Sequence, residues 1–137
     1  MKKVAWLVLM IILAGCAPLG YVTLDDVRNN NRENLSHLVI GMEKSKVLQV
    51  MGTETITTTK VTYPNWPIPD KTIQKINNPY KVEVLKAKDG QIYEVLLYYT
   101  DVKKMDGAIT DDELTPLIIK DGKLQGWGWV FLNEVLP

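Results

Sequence analysis

The sequence predicts an α+β domain in which two N-terminal helices pack on an antiparallel sheet of three to five strands. Three observations predict it. Apolar residues recur near helical spacing up to Gly52, and beyond it β-branched and apolar residues follow a period of two. Two Asp-Gly pairs, Asp89-Gly90 and Asp121-Gly122, each separate strand-like segments, which is a strong hairpin signal. Helices come first and strands follow through short connections, the order of a helical layer lying on a sheet.

The first helix is expected to start at Leu24. Thr23 can cap it, and Asp25 and Asp26 fall in its first turn, where the helix dipole favours negative charge. Leu24, Val27, Leu35 and Leu38 recur near helical spacing. The stretch Arg28-Asn29-Asn30-Asn31-Arg32-Glu33-Asn34 is strongly polar, and asparagine is a poor helix former, so a break or fraying is expected there. Gly41 is a natural stop. A second, short helix fits residues 43–51, with Val47, Leu48, Val50 and Met51 as its apolar content and Gly52 as its end.

Residues 54–62 are rich in threonine, isoleucine and valine and read as a strand. Residues 80–88 alternate, with Tyr80, Val82 and Val84 on one face, and Gln91 onward supplies the partner across Asp89-Gly90. The second Asp-Gly pair joins Leu117-Ile118-Ile119-Lys120 to Lys123-Leu124-Gln125. Between the first two strands, residues 63–79 carry Pro64, Pro67, Pro69 and Pro79 and read as a long loop centred on Trp66. Loops of this length in small domains are usually functional or disordered. Trp66, with Ile68 beside it, is either tucked onto the core or presented as a recognition element, since tryptophan is enriched among binding hot spots.

The N-terminus points to export. Lys2 and Lys3 precede an apolar run over residues 4–13, followed by Leu13-Ala14-Gly15-Cys16, which is the layout of a secretory signal. The apolar run is too short for a spanning helix, which needs roughly 20 residues. The quartet resembles the lipobox of bacterial lipoproteins. That resemblance implies cleavage before Cys16, acylation of Cys16 by three chains, and, with Ala17 next, sorting to the outer membrane facing the periplasm. The organisation is then a signal over residues 1–15, a lipidated tether over 16–22 and one domain over 23–137. Sixteen basic and sixteen acidic residues balance, and loss of Lys2 and Lys3 leaves a slightly acidic chain. It lacks the basic patch of a nucleic-acid binder. Cys16 is the single cysteine, so no intrachain disulfide is available, and the lone His37 has no partners for a zinc set.

Residues 35–54 resemble the opening of the SmpA/OmlA domain, the BamE-like family of the β-barrel assembly machinery. The resemblance rests on Val39, Ile40, Gly41, Met42, Val47, Met51 and Gly52. It implies two helices on a three-stranded antiparallel meander, a fold shared with β-lactamase-inhibitor-like proteins. Glu43 stands where that family usually has a Thr or Ser cap, and Glu54 where it often has proline. The implied role is a non-enzymatic accessory factor that binds another envelope protein; an inhibitor lipoprotein blocking a hydrolase by loop insertion is the alternative.

Two further segments bear on chemistry. Residues 106–113 echo the second half of a calcium loop, ending on Glu113, but the first ligand positions fall on Val102 and Lys104, which offer no side-chain oxygen. A solvated acidic loop is expected, with no metal. In Gly126-Trp127-Gly128-Trp129-Val130-Phe131, strand alternation puts Trp127, Trp129 and Phe131 on one face. An aromatic core face is the preferred reading, and an exposed patch for a partner or a lipid interface is the other. No catalytic set, cofactor motif or small-molecule site is legible in the sequence. The candidate residues are Cys16 for lipidation and Trp66, Ile68, Trp127 and Trp129 for partner binding.

Overall fold

The computed structural model describes residues 20–87 and 90–136. The signal segment, Cys16, residues 17–19 and Asp89 lie outside the described residues. Chain order is α1 (Leu24–Leu35), α2 (Lys44–Met51), β1 (Thr55–Asn65), β2 (Ile68–Asn77), β3 (Lys81–Lys86), β4 (Ile92–Tyr99), β5 (Leu114–Lys120), β6 (Lys123–Trp127) and α3 (Trp129–Val135). The α+β class stands. The expected single sheet of three to five strands, and the three-stranded meander implied by the family resemblance, are corrected. The described residues form two separate antiparallel sheets, a pair β1-β2 and a four-stranded meander β3-β4-β5-β6. A C-terminal helix that the sequence reading placed in a strand completes the fold.

The helical starts follow from their sequences. The Thr23 hydroxyl accepts the Asp26 backbone N–H at 3.2 Å, and the Asp26 carboxylate accepts the Thr23 N–H at 2.8 Å, a reciprocal capping box. The expected break in α1 does not occur. Asn31, 1% exposed, is driven through the fold rather than left in solvent, and its buried amide bonds offset its poor propensity. α2 begins after Glu43, which makes no side-chain cap, and ends on Gly52 at φ 83°, a left-handed turn into the sheet that favours glycine.

The largest correction is residues 63–79. They are not a loop: β1 continues to Asn65, turns through Trp66-Pro67, and returns as β2, paired from Ile68 opposite Asn65 down to Asn77 opposite Thr55. Each strand has only one neighbour, so a proline can occupy the free edge without breaking a ladder. Pro64 sits where the register shifts between Thr62 and Asn65.

The meander has apolar clusters on both faces. On one, α2 covers Leu96, Tyr98, Leu117, Ile119 and Leu124 with Val47 and Met51. On the other, Val27 of α1, Ile76 from the foot of the arm and Leu132 of α3 pack on Val95, Leu97, Tyr99 and Ile118. Asp121 at φ 50° and Gly122 at φ 74° form the turn that the Asp-Gly pair predicted. Gly126 lies under Phe131: a Cβ there would sit 2.8 Å from the ring, so this glycine permits a close helix approach.

Candidate functional site

Several buried polar groups are spent on structure, while Nε of Arg28 is buried without a hydrogen-bond partner. Asn31 and Asn78 donate to each other at 3.1 and 3.0 Å, and their remaining amide protons reach the Tyr99 and Met51 carbonyls at 2.9 and 2.7 Å. This pair knots α1, the end of α2, the end of β4 and the corner before β3. The Tyr98 hydroxyl, whose burial pushes its pKa well above the ordinary range, donates to the Gly52 carbonyl at 3.1 Å. Glu113, 1% exposed, collects the backbone N–H groups of Lys103 at 2.6 Å, Lys104 at 3.2 Å and Thr110 at 3.2 Å. The carboxylate that would close a calcium loop therefore folds residues 103–110 around itself.

Apolar surface stays open at Val39, Ile40, Met105 and Val130, and it gathers further on two parts of the sheets. The first is the meander face that α2 leaves uncovered. Val82 pairs with Leu96, Val84 with Glu94, and Lys86 with Ile92, so these side chains share the α2 face. α2 is only eight residues long and lies over β4, β5 and β6. Lys44 at its start holds Glu94 at 2.7 Å, which marks the limit of the cover. Beyond it Val82, Val84 and Ile92 are 51%, 69% and 63% exposed, with Tyr80 beside them. Among the described residues β3 is also the edge of the sheet, with β4 as its one strand neighbour. The opposite edge is covered where β6 begins: Gly41 N–H donates to Leu124 O, Leu124 N–H to Met42 O, and Glu43 bridges Lys123.

The second place is the β1–β2 arm. Its foot is anchored through Ile56, Thr58 and Ile76, and Lys60 reaches the Asp106 carbonyl at 3.1 Å. Beyond that rung the arm projects without a core. Trp66 is 81% exposed at its tip, with Ile68 and Tyr63 also open to solvent and the Tyr63 and Trp66 rings 5.5 Å apart. The recognition-or-core question for Trp66 is thereby settled against the core.

Trp127 and Trp129 do not join this tip. Trp127 ends β6, and Gly128 at φ 92° starts α3, so the expected common strand face with Trp129 and Phe131 is broken. Trp129 is fixed by its indole N–H to Leu114 O at 2.8 Å, and Phe131 packs inward on the core. The strip on β3 was half legible in sequence, since Tyr80, Val82 and Val84 were assigned to one face. That the face lies open follows only from the shortness of α2 relative to the sheet.

A two-sided α+β meander with a projecting arm is thus the class that fold and surface define. The chain belongs to the family whose model is described as "Protein of unknown function (DUF3192)", which matches residues 17–133. No curated protein and no solved structure matches the chain.

Proposed function

We propose that this chain is a lipid-anchored envelope protein that works by binding, and that it recruits another envelope protein along the open β3 edge. The carrying observation is the coincidence of a free strand edge with an uncovered apolar strip, Val82, Val84 and Ile92. An added strand would gain main-chain hydrogen bonds from β3 and bury its alternate side chains on that strip. Lysines at both ends of β3, Lys81 and Lys86, oppose indiscriminate pairing of such an edge. The anchor is the Leu13-Ala14-Gly15-Cys16 quartet, and the role is that of an accessory factor in the envelope rather than a catalyst. The inward use of Asn31, Asn78 and Glu113 supports that reading, because these polar groups are consumed in holding the fold.

Site-specific photocrosslinking tests it. A photoreactive residue at Val84 should give one discrete protein adduct in intact envelopes, and the same residue at exposed Asp121 should not. Val82→Lys with Val84→Lys should weaken that capture by about tenfold or more while leaving the fold intact, as expected when anchor residues of an interface are lost. Equal labelling from both positions, or none from Val84, would refute the β3 edge as the contact.

A further inference from the structure

We infer that the tip of the β1–β2 arm docks into the interface of the lipid bilayer that holds the chain's own anchor. The inference rests on acylation of Cys16 and goes beyond it, because it assigns a second membrane contact to a segment far from the signal in sequence.

The tip has the chemistry of an interfacial element. Tyr63-Pro64-Asn65-Trp66-Pro67-Ile68-Pro69 carries no charged side chain, and charges return at Lys60, Asp70 and Lys71. Tryptophan and tyrosine favour the headgroup level, where an apolar ring body and a polar tip are both accommodated. Lysines placed behind such a tip keep their ammonium groups in water while their stems lie along apolar surface. A two-stranded hairpin is marginal in water, and the outer half of this arm has no core of its own. Its exposed Trp66 and Ile68 are therefore suited to a covering phase.

The path of the tether says what that phase is. The Thr59 N–H donates to the Val22 carbonyl at 2.9 Å, so the chain enters the domain along the edge of β1. One residue earlier, the Tyr21 ring lies 4.7 Å from the Lys71 ammonium, and Lys71 is paired with Val61. Read backwards from Thr23, the chain thus climbs the arm towards its tip rather than away from it. From Val61 to Asn65 the arm rises about 13 Å at ~3.3 Å per residue. From Tyr21 back to Cys16 the chain can span at most about 17 Å. The anchor point and the aromatic tip can therefore reach the same plane, with no slack left for a long spacer. A protein ligand at the tip would have to fit between the arm and the membrane within that length.

Depth measurement tests this on the full, lipidated chain. Acylation consumes the Cys16 thiol, so Asn65→Cys at the tip, or Thr57→Cys at the foot, gives a unique site for a nitroxide. The protein is reconstituted in vesicles of phosphatidylethanolamine and phosphatidylglycerol, and power saturation compares access of oxygen with that of a water-soluble nickel chelate. The label at position 65 should lose nickel access several-fold on reconstitution, and the label at 57 should keep it. Mass spectrometry of the N-terminal peptide from the same sample reports the lipid on Cys16. An acylated protein whose position 65 stays as nickel-accessible as position 57 overturns the tip assignment alone. An unacylated Cys16 overturns the anchor reading and the tip assignment with it. A photoreactive residue at Trp66 that crosslinks a protein instead of lipid also overturns it, and would make the arm an inserting element for a protein target.

Discussion

Asn31 shows how much one residue can decide. Its place in a polar run argues for a frayed helix, yet its amide exchanges two hydrogen bonds with Asn78 and donates another to the Tyr99 carbonyl. Nothing in the sequence marks which of the neighbouring asparagines turns inward, because the partner lies 47 residues away. Asn31→Ala strands the Asn78 side chain and the Tyr99 carbonyl in a dry setting. At roughly 1–3 kcal/mol for each unsatisfied buried group, we expect a loss of about 3 kcal/mol in chemical denaturation. Asn78→Ala should cost a similar amount. The double variant should cost clearly less than the sum, since the two share their bonds. Strict additivity would show that the two amides act independently.

At the scale of elements, local chemistry was legible and neighbour count was not. Thr23 with Asp26, the glycine after Met51 and the Asp-Gly turn before Lys123 each announce a boundary through their own side chains or backbone freedom. Residues 63–79 read as a loop because proline is taken to exclude a strand, and that holds only where both edges are paired. In a two-stranded arm no further strand pairs with either outer edge, and β1 meets only Val22 there through Thr59, a fact about tertiary context. The helix cap also sets an acid limit. Hydrogen bonds from the Thr23 N–H and hydroxyl favour the charged Asp26 and lower its pKa from 3.8. A lowered folded value means stability that is present above the unfolded pKa and is lost as pH falls through the folded one. We therefore expect Asp26→Asn to lower the thermal midpoint at neutral pH, with the difference from wild type closing as the pH falls below the ordinary carboxylate value and through the lowered one. A gap that persists unchanged at low pH would mean the carboxylate charge is not what matters.

At the scale of the whole molecule, the sequence divides into what it states and what the fold arranges. The quartet ending in Cys16 is readable without coordinates, and the uncovered strip on β3 requires knowing how short α2 is against the sheet it covers. The arm lies between: Trp66 was singled out by residue type, and its exposure by geometry. No helix among the described residues is long and apolar enough to cross a membrane. The proposed attachment through Cys16 rests on the Leu13-Ala14-Gly15-Cys16 order. Cys16→Ser should leave the chain unlabelled by radioactive palmitate and shift it to the soluble fraction or leave it unprocessed. Retention in the membrane with normal acyl labelling would sink the anchor.

The seal that residues 41–43 place over β6 also limits how many molecules the sheet can gather. With the start of β6 covered, β3 is the edge of the meander along which an added strand could pair over its full length. Two copies meeting edge to edge about a two-fold axis would form a finished pair with no open strand between them to recruit a third. A sheet open at both ends could extend into a fibre under the crowding of a membrane surface, where anchored chains share a plane and collide often. On the proposed recruitment along β3, one added strand would fill the open edge, so one partner per chain is the expected stoichiometry.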